Sequence, residues 1–318
     1  MRIFITGGAG FIGSHFVDRL VNDHEVVVLD NFSLGKREFI EQHRDNRRLI
    51  LVKADLLDLR AVEKWTKKCD IVFHLAANSD IRKGIQMTDA DLKQGTLVTY
   101  HVLEAMRRNG VKKIVFASSS VVYGLANKIP TPEDYGPLLP ISLYGASKLA
   151  CEGLISSFSH TFGVQAWIFR FANIVGARMT HGVIPDFYKK LKRNPKKLEI
   201  LGDGKQKKTY LHVNDCINGI LFAMEHAREP VNLLNLSSDD MISVTEIARV
   251  LVKKMGLTDT RFEFTGTAQG WRGDVPQMGL ETKKLKKLGW EPCLNSSQAI
   301  EKAIEEFVGC RQSSLLGV

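Results

Sequence analysis

Short runs of apolar residues alternate with longer amphipathic segments along the first half of the chain. The apolar runs predict strands at Arg2–Thr6, Glu25–Asp30, Leu49–Lys53, Asp70–Ala76, Lys113–Ala117 and Val164–Arg170. Between these strands, the spacing of apolar positions predicts helices at Phe11–Val21, Ala61–Lys67, Asp89–Arg108 and Tyr144–Phe162. Near-continuous apolar strands separated by helices indicate a parallel sheet that is covered on both faces. The expected fold class is therefore α/β.

The pattern changes after about residue 170, where shorter strands alternate with helices. The sequence predicts helices at Ile184–Arg193, Asn214–Ala227, Glu281–Leu288 and Ser296–Val308, and strands at Leu198–Leu201 and Val231–Leu236. Ser243 and Glu246 form a capping-box signature that opens a further helix, ending near Met255. We therefore expect a larger lobe over residues 1–170, a smaller α/β lobe over residues 171–310 that is interleaved with it, and a frayed tail over residues 311–318.

The composition, 44% hydrophobic and 25% charged over 318 residues, is that of a soluble globular protein. No apolar run approaches the roughly 20 residues that span a bilayer, and Met1 leads directly into a strand rather than a signal peptide. We therefore expect a cytoplasmic protein without a membrane partner. The five cysteines are scattered without metal-ligand spacing, so we expect neither disulfides nor a metal site.

The net charge of +9 raises the question of nucleic acid binding. The excess lies late in the chain, in the three lysine-rich stretches 189–197, 205–208 and 283–287. No aromatic residues interleave with these lysines for base stacking, and no nucleic-acid motif is present. We interpret most of them as solvated helix faces, of which a minority could attract an anionic small molecule. No nucleic acid partner is expected.

A glycine-rich turn lies between the first predicted strand and the first predicted helix. Thr6 to Gly13 reads T-G-G-A-G-F-I-G. Glycine allows a tight turn and a close approach of the backbone to phosphate, and the helix N-terminus supplies N–H groups and a positive dipole end for a pyrophosphate. Asp30 lies 20 residues beyond Gly10, at the end of the second strand. A carboxylate there accepts hydrogen bonds from ribose hydroxyls and repels a 2′-phosphate.

This combination predicts a Rossmann-type doubly wound parallel sheet that binds NAD rather than NADP, although Lys36 and Arg37 could in principle serve a phosphate. The residues that follow two further strands also fit a bound dinucleotide. Asp55 follows the third strand, where a carboxylate can meet the adenine amino group, and small residues follow the fourth strand, which leaves room for a cofactor; each alone also fits plain strand-end packing. The predicted cofactor-binding residues are Gly7, Gly10, Phe11, Ile12, Gly13, Asp30, Asn31, Asp55, Leu56, Leu75, Ala76, Ala77, Tyr144 and Lys148.

Tyr144 and Lys148 are four residues apart in a predicted helix, so their side chains lie on one face. Ser119 lies just beyond the strand that ends at Ala117, and ligands of open α/β sheets bind at such strand ends. Alone, the pair also fits a surface tyrosine and a solvated lysine. Beside a dinucleotide, these residues predict a hydride-transfer site in which Tyr144 takes a proton from a sugar hydroxyl and Ser119 hydrogen-bonds the same oxygen.

Such a base needs its pKa lowered by roughly three units from about 10, which is about 4 kcal/mol. One cation at about 4 Å supplies on the order of 4 kcal/mol at an effective dielectric of about 20. We therefore expect Lys148, together with a positively charged nicotinamide, to lower the pKa of Tyr144.

Taken together, these motifs resemble those of the extended short-chain dehydrogenases/reductases of the NAD-dependent epimerase/dehydratase type, which act on nucleotide sugars. The resemblance runs from the glycine-rich turn to the L-G-W-E-P stretch that ends at Pro292. It implies that Ser119, four residues before the tyrosine of V-V-Y-G, is catalytic with Tyr144 and Lys148. It implies further substrate contacts from Ser119, Ser120, Asn173, Val183, Ile184, Lys208 (where arginine is usual) and Arg272. It also implies a homodimer, formed through the helices predicted at 89–108 and 144–162.

Members of this family share oxidation at sugar C4 and then diverge. Dehydratases carry Asp and Glu at the positions of Ser120 and Val121, and decarboxylases carry Glu at Val121. Neither residue of this chain transfers a proton near neutral pH, so we expect the 4-keto sugar to take its hydride back on the other face. The expected activity is 4-epimerisation of the UDP-glucose/UDP-galactose type. The alternatives are an NAD(P)-dependent 4-keto-sugar reductase, an epimerase of UDP-glucuronate or another nucleotide sugar, and a non-catalytic dinucleotide sensor.

Overall fold

The computed structural model describes residues 1–81, 83–271 and 273–313. The chain divides into two compact units. The first comprises Met1–Gly124, Pro137–Arg170 and Ile220–Leu234, and the second comprises Leu125–Gly136, Phe171–Gly219 and the chain from Asn235 onward. The boundary expected at residue 170 is thus one of several points where the chain passes from one unit to the other. The segments 125–136 and 220–234 lie in the unit opposite to the one that the sequence suggested.

The strands, in chain order, are β1 (Arg2–Thr6), β2 (Glu25–Asp30), β3 (Leu49–Lys53), β4 (Ile71–His74), β5 (Lys113–Ser119), β6 (Gln165–Phe171), β7 (Asn173–Val175), β8 (Lys197–Ile200), β9 (Lys207–Lys208), β10 (Tyr210–His212), β11 (Val231–Leu236), β12 (Ile242–Ser243), β13 (Arg261–Phe264) and β14 (Gln277–Met278). The helices are α1 (Phe11–Leu20), α2 (Leu59–Thr66), α3 (Lys83–Gln86), α4 (Val98–Asn109), α5 (Leu143–Phe162), α6 (Val183–Arg193), α7 (Val213–His226), α8 (Val244–Lys254), α9 (Lys283–Leu288) and α10 (Ser296–Ser313).

A seven-stranded sheet forms the centre of the first unit, in the strand order β11-β6-β5-β4-β1-β2-β3. The pairings that join β3, β2, β1, β4 and β5 are all parallel. Its strands are apolar on both faces, and Phe4, Phe73, Phe116 and Phe169 on these strands are fully buried, as is Phe16 on α1. The strand order reverses direction between β1 and β4, which is the switch point where doubly wound sheets bind ligands. The predicted α/β Rossmann-type sheet is confirmed.

The second unit contains three small sheets, with the strand orders β10-β7, β12-β9-β14 and β13-β8. Helix α8 opens with the predicted capping box: the Ser243 hydroxyl accepts from the Glu246 N–H, and the Glu246 carboxylate accepts from the Ser243 N–H. The strands of these small sheets are two to four residues long, shorter than most strands of the central sheet in the first unit.

The predicted helix at 89–108 is interrupted by a π-helical turn over Leu92–Leu97, and the regular helix α4 begins only at Val98. The turn is tied to α5, because the Ser147 hydroxyl donates to the Asp91 carbonyl at 2.7 Å. A Cβ at Gly95 would lie 2.2 Å from the Ser147 oxygen, so a larger residue there would displace the Ser147 hydroxyl. At the other end of the chain, α10 continues to Ser313 and thus includes the first residues of the tail that the sequence predicted to fray.

No helix in the described part of the chain combines the length and the apolar character that crossing a membrane requires. Within residues 1–81, 83–271 and 273–313, no cluster of three or more His, Cys, Asp or Glu side chains is arranged to hold a metal ion.

Candidate active site

The glycine-rich turn connects β1 to α1 and packs directly on the end of β4. Gly7 has a φ of +69°, and a Cβ on it would lie 2.9 Å from the Ala76 backbone. A Cβ on Gly13 would lie 2.2 Å from the Gly7 carbonyl oxygen. Gly10 is the N-cap of α1 and its N–H donates to the Gly7 carbonyl. Because the first helical residues, Phe11 and Ile12 among them, have no intrahelical acceptor for their N–H groups, this end of α1 is suited to a pyrophosphate.

Asp30 ends β2 beside this turn, and its side chain is buried and fixed in orientation. One carboxylate oxygen accepts from the Ala9 N–H at 3.0 Å, and the other accepts from the Phe32 N–H at 2.8 Å. Burial raises the pKa of Asp30, whereas these two hydrogen bonds lower it. Each carboxylate oxygen keeps a second lone-pair site, so the group can also accept hydrogen bonds from two adjacent hydroxyls, as on a ribose.

The ends of β2 and β3 are linked by a side-chain hydrogen bond, in which the Asn31 amide donates to Asp55 at 3.0 Å. The other Asp55 oxygen accepts from the Leu57 N–H, and the Leu56 carbonyl contacts the His101 ring at 2.9 Å. Leu56 itself is buried. Asn31 and Asp55 therefore form one polar group at this edge of the sheet, where the sequence suggested two separate contacts.

A buried hydrogen-bond chain joins the glycine-rich turn to helix α5. The His74 ring contacts the Thr6 hydroxyl at 2.8 Å and the Thr99 hydroxyl at 2.9 Å, and Thr99 lies 3.1 Å from the Cys151 sulfur. Thr6 also accepts from the N–H groups of Leu75 and Ala76. Burial, with the charge of Lys148, lowers the pKa of His74 to about 3, so the imidazole is neutral at physiological pH. Leu75, Ala76 and Ala77 are half-buried at this strand end.

The three predicted catalytic residues lie on two elements that pack together in the first unit. Ser119 is the last residue of β5 and caps the following 3-10 turn, Ser120–Tyr123, where its hydroxyl accepts from the Val121 N–H at 3.4 Å. Tyr144 and Lys148 lie on the first two turns of α5. The Lys148 ammonium donates to the Ala117 carbonyl at 2.6 Å and lies 5.7 Å from the centroid of the Tyr144 ring.

The electrostatics of the chain's own residues run against the lowered pKa of Tyr144 that the sequence predicts for Lys148 together with a nicotinamide. Burial raises the pKa of Tyr144, and the charges of Asp91 and Cys151 raise it further, whereas Lys148 was expected to lower it. Burial also lowers the pKa of Lys148 to about 8, against the charges of Cys151, Glu152 and Asp91. Desolvation is thus the largest cause of the pKa shift of both groups.

Two buried carboxylates near the candidate site, Asp91 and Glu152, were missed by sequence reasoning. Asp91 is buried, with its carboxylate accepting from the Asn78 amide at 3.0 Å, and it acts on the pKa of both Tyr144 and Lys148. Glu152 lies one turn after Lys148 and pairs with Arg170 at 2.7 Å. The spacing Tyr144, Lys148, Glu152 is a signal that was visible in the sequence, whereas the burial of Asp91 was not.

The predicted substrate residues lie mostly in the second unit. The Asn173 amide on β7 donates to the Thr209 carbonyl at 3.2 Å, and Val183 and Ile184 begin helix α6, with Ile184 fully buried. Lys208 on β9 donates to Asp274 at 2.6 Å. Ser120, in the first unit, is buried beside Ser119. Arg272 lies outside the described residues.

The fold and this site together define a dinucleotide-binding α/β protein with a Ser-Tyr-Lys group at a strand end. The model of the NAD dependent epimerase/dehydratase family matches residues 3–236, and the chain belongs to that family. The glycine turn that a Cβ would fill and the carboxylate of Asp30 both fit NAD, the cofactor on which this family depends.

Individual proteins extend this similarity over nearly the whole chain. A Methanocaldococcus jannaschii protein, provisionally named UDP-glucose 4-epimerase, is 33% identical over 312 residues, which are 95% of this chain and 97% of that protein. A crystal structure of a UDP-galactose 4-epimerase is 41% identical, with a TM-score of 0.86 and coverage of 98% of this chain and 99% of that one. A UDP-glucose 4-epimerase from Thermotoga maritima, solved with UDP-glucose, is 31% identical, with a TM-score of 0.88 and coverage of 98% and 100%.

Proposed function

We propose that this protein is an NAD-dependent 4-epimerase of the UDP-glucose/UDP-galactose type. The observation that carries the proposal is that Lys148, one helical turn after Tyr144 on α5, is hydrogen-bonded to β5 two residues before Ser119, in a sheet that carries a dinucleotide turn. The names of the similar proteins support the same activity. Ser120 and Val121, which follow Ser119, supply no second acid and base, so elimination or decarboxylation is disfavoured.

The roles of the chain's own residues follow from their contacts. Tyr144 takes the proton of the sugar 4-hydroxyl, and Ser119 hydrogen-bonds the same oxygen and orients it. Lys148 is anchored on the Ala117 carbonyl and stabilises the phenolate that forms. Bound NAD would supply hydride acceptance and return at C4, and its oxidised ring a positive charge that lowers the pKa of the phenol. Inversion requires the 4-keto sugar to present its other face before Tyr144 returns the proton.

For the nucleotide end of the substrate, we propose contacts from Asn173, Val183, Ile184 and Lys208. The Lys208 ammonium is half-buried and oriented by Asp274, which suits a fixed contact with a diphosphate oxygen. Val183 and Ile184 begin α6, whose first turn offers N–H groups to a bound carbonyl or phosphate oxygen. Arg272 is proposed as a second cation for the diphosphate.

The experiment that tests the proposal is incubation of the purified protein with UDP-galactose and no added cofactor. We expect UDP-glucose to form without net production of NADH, because the hydride returns to the sugar. The Tyr144→Phe variant should lose turnover by at least about 100-fold while NAD stays bound. Undiminished turnover in this variant would exclude the mechanism.

The same assay separates the alternatives. Consumption of NADH or NADPH with a 4-keto sugar would indicate a reductase, and turnover of UDP-glucuronate but not UDP-galactose would indicate an epimerase of acidic sugars. NAD binding without turnover of any UDP-, CDP-, GDP- or dTDP-sugar would indicate a dinucleotide sensor. Such a sensor has no need of a Tyr144/Lys148 proton relay.

We also propose that two copies of the chain associate through the segment before α4, through α4 and through α5. Leu92, Leu97, Tyr100 and Phe162 on these elements have 37–60% of their surface exposed. Exposed apolar side chains on these elements favour association. Light scattering should give about twice the 35.6 kDa chain mass. Leu97→Lys should shift the mass toward one chain, and Leu34→Lys, at an exposed leucine elsewhere, should not. A monomeric wild type would refute the dimer.

A further inference from the structure

The catalytic helix is tied to the end of β5 at two consecutive residues. Lys148 donates to the Ala117 carbonyl, and the Ser118 hydroxyl donates to the Glu152 carboxylate at 2.5 Å. Tyr144, Lys148 and Glu152 are spaced by four residues, so they form one stripe along α5. The last two members of the stripe therefore set the register of the helix against the strand that ends in Ser119.

Glu152 is in turn paired with Arg170 on β6, the strand next to β5 in the sheet. The pair is bidentate, with Nε to Oε1 at 3.1 Å and Nη2 to Oε2 at 2.7 Å. Only 3% of the Arg170 side chain and 8% of the Glu152 side chain are exposed. Burial by itself would lower the pKa of Arg170, but the hydrogen bonds and charge of Glu152 raise it, so the guanidinium stays charged. The fork geometry restricts both side chains to one orientation.

Arg170 also contacts the chain on the far side of Ser119. Its guanidinium carbon lies 4.6 Å from the centroid of the Tyr123 ring, which is buried. Tyr123 ends the 3-10 turn that Ser119 caps. The ion pair thus holds the residue before Ser119 through Glu152 and the turn after Ser119 through Arg170, while Ser119 itself is only half-buried.

Stability alone does not explain a charged pair at this position. The desolvation of two buried ions offsets most of their attraction, and apolar replacements of similar volume are often as stable. What an apolar pair lacks is the ability to fix three elements in one geometry through directed hydrogen bonds. A misplacement of about 1 Å can cost about 100-fold in rate.

We propose that Ser118, Tyr123, Glu152 and Arg170, here called the serine clamp, position the Ser119 hydroxyl and the Tyr144/Lys148 face of α5 for reaction. These four are positioning residues that act through Ser119 and Lys148. The inference rests on the proposed function of those two residues. It predicts that the clamp controls kcat rather than substrate affinity.

The test compares three variants of the full chain. Ser118→Ala removes one clamp bond and leaves the ion pair, and Glu152→Gln removes the charge but keeps an acceptor. The control is Glu104→Gln on α4, where Glu104 is a largely buried carboxylate whose partners at 2.8 Å, Arg107 and Arg108, also lie on α4. Glu152→Gln and Glu104→Gln should both lower Tm. Only the clamp variants should lower kcat, about fivefold for Ser118→Ala and at least about 50-fold for Glu152→Gln, with KM within twofold.

Hydrogen exchange of the amides at 119–124 supplies a readout that needs no substrate. Exchange there should be faster in Glu152→Gln and unchanged in Glu104→Gln, and Ser118→Thr, which keeps the hydroxyl, should restore most of the kcat lost in Ser118→Ala. Equal losses of kcat in Glu152→Gln and Glu104→Gln, or unchanged exchange in Glu152→Gln, would overturn the clamp. A wild type that turns over no sugar, combined with the exchange difference, would refute the proposed function and leave the clamp standing.

Discussion

The candidate residues of the two units are held in different ways. In the first unit, Asp30 and Lys148 are fixed by main-chain partners at the ends of long central strands. In the second unit, Lys208 lies on a two-residue strand and is oriented by one side chain, Asp274, from a loop. In the function proposed above, the catalytic residues are thus anchored to the central sheet, whereas the substrate contact Lys208 lies on a short strand. Variants of the first unit should therefore change kcat or NAD binding, and variants of the second should change KM alone.

The largest effect should come from Lys148→Met, which keeps the length of the side chain and removes its charge. We expect kcat to fall by about 100-fold or more, because the phenolate loses its cation. Burial lowers the pKa of Lys148 to about 8, so between pH 8 and about 10.5 the unfolded chain binds more protons than the folded one. The contribution of Lys148 to stability therefore rises with pH in this window.

Measurement of Tm from pH 7 to 10 checks this sign. The Tm of the wild type should rise relative to that of Lys148→Met as the pH increases. A constant difference between the two would show that Lys148 has no lowered pKa in the folded chain.

Next in size is Gly13→Ala, which tests whether the glycine turn is a cofactor cradle. The new Cβ would lie 2.2 Å from the Gly7 oxygen, so the turn must open. We expect the Kd for NAD to rise by about 100-fold in calorimetry, with a lower Tm. Gly153→Ala is the control, since a Cβ there meets nothing within 4 Å on an exposed turn of α5. It should stabilise the fold by about 0.5–1 kcal/mol without changing NAD binding.

A smaller effect is expected from Lys208→Met in the second unit. Loss of one charged hydrogen bond to a diphosphate, worth about 1.5 kcal/mol, should raise KM for UDP-galactose about tenfold, with kcat within twofold. Lys207→Met, at the exposed neighbour on β9, is the matched control and should change neither value. A fall in kcat in Lys208→Met would contradict the division of roles between the two units.

The smallest effect concerns Asp91. Its charge raises the pKa of both Tyr144 and Lys148, so Asp91→Asn should lower both. The acidic limb of the kcat–pH profile should then move to lower pH, by less than about one unit. Cys151 also raises the pKa of both groups and Glu152 raises that of Lys148, and both residues remain in the Asp91→Asn variant. Asp89→Asn is the control, because Asp89 is an exposed carboxylate that is paired with Lys93. The kcat–pH profile of this variant should match that of the wild type. A shift in both variants would indicate a long-range effect of net charge.

Much of the fold was predictable because it depends on local patterns. The bounds of β1, β2 and β3 follow directly from apolar runs, and the glycine turn and Asp30 follow from fixed spacings. The predicted helix at 89–108 is helical, but residues 92–97 are π-helical rather than α-helical, and there Gly95 closely approaches Ser147, a residue about 50 positions away. Helical periodicity carries no information about such a partner.

The pKa of Tyr144 is the clearest case of what a sequence leaves open. Spacing identified its neighbour Lys148, but the sign of the shift depends on how far both groups are withdrawn from water. The contacts of the serine clamp could not be predicted from the sequence either, because they join distant positions. Ser118 and Glu152 are 34 positions apart, and Glu152 and Arg170 are 18 apart.

The amino-acid sequence alone determined the α/β architecture, the dinucleotide turn and the identity of the Ser-Tyr-Lys group, since periodicity and spacing along the backbone are local properties. Tertiary structure decided which charges are buried together, which side chains hold Ser119 from both sides and where the chain passes between its two units. Those properties arise from burial and from hydrogen bonds between distant segments, and they exist only once the chain is packed.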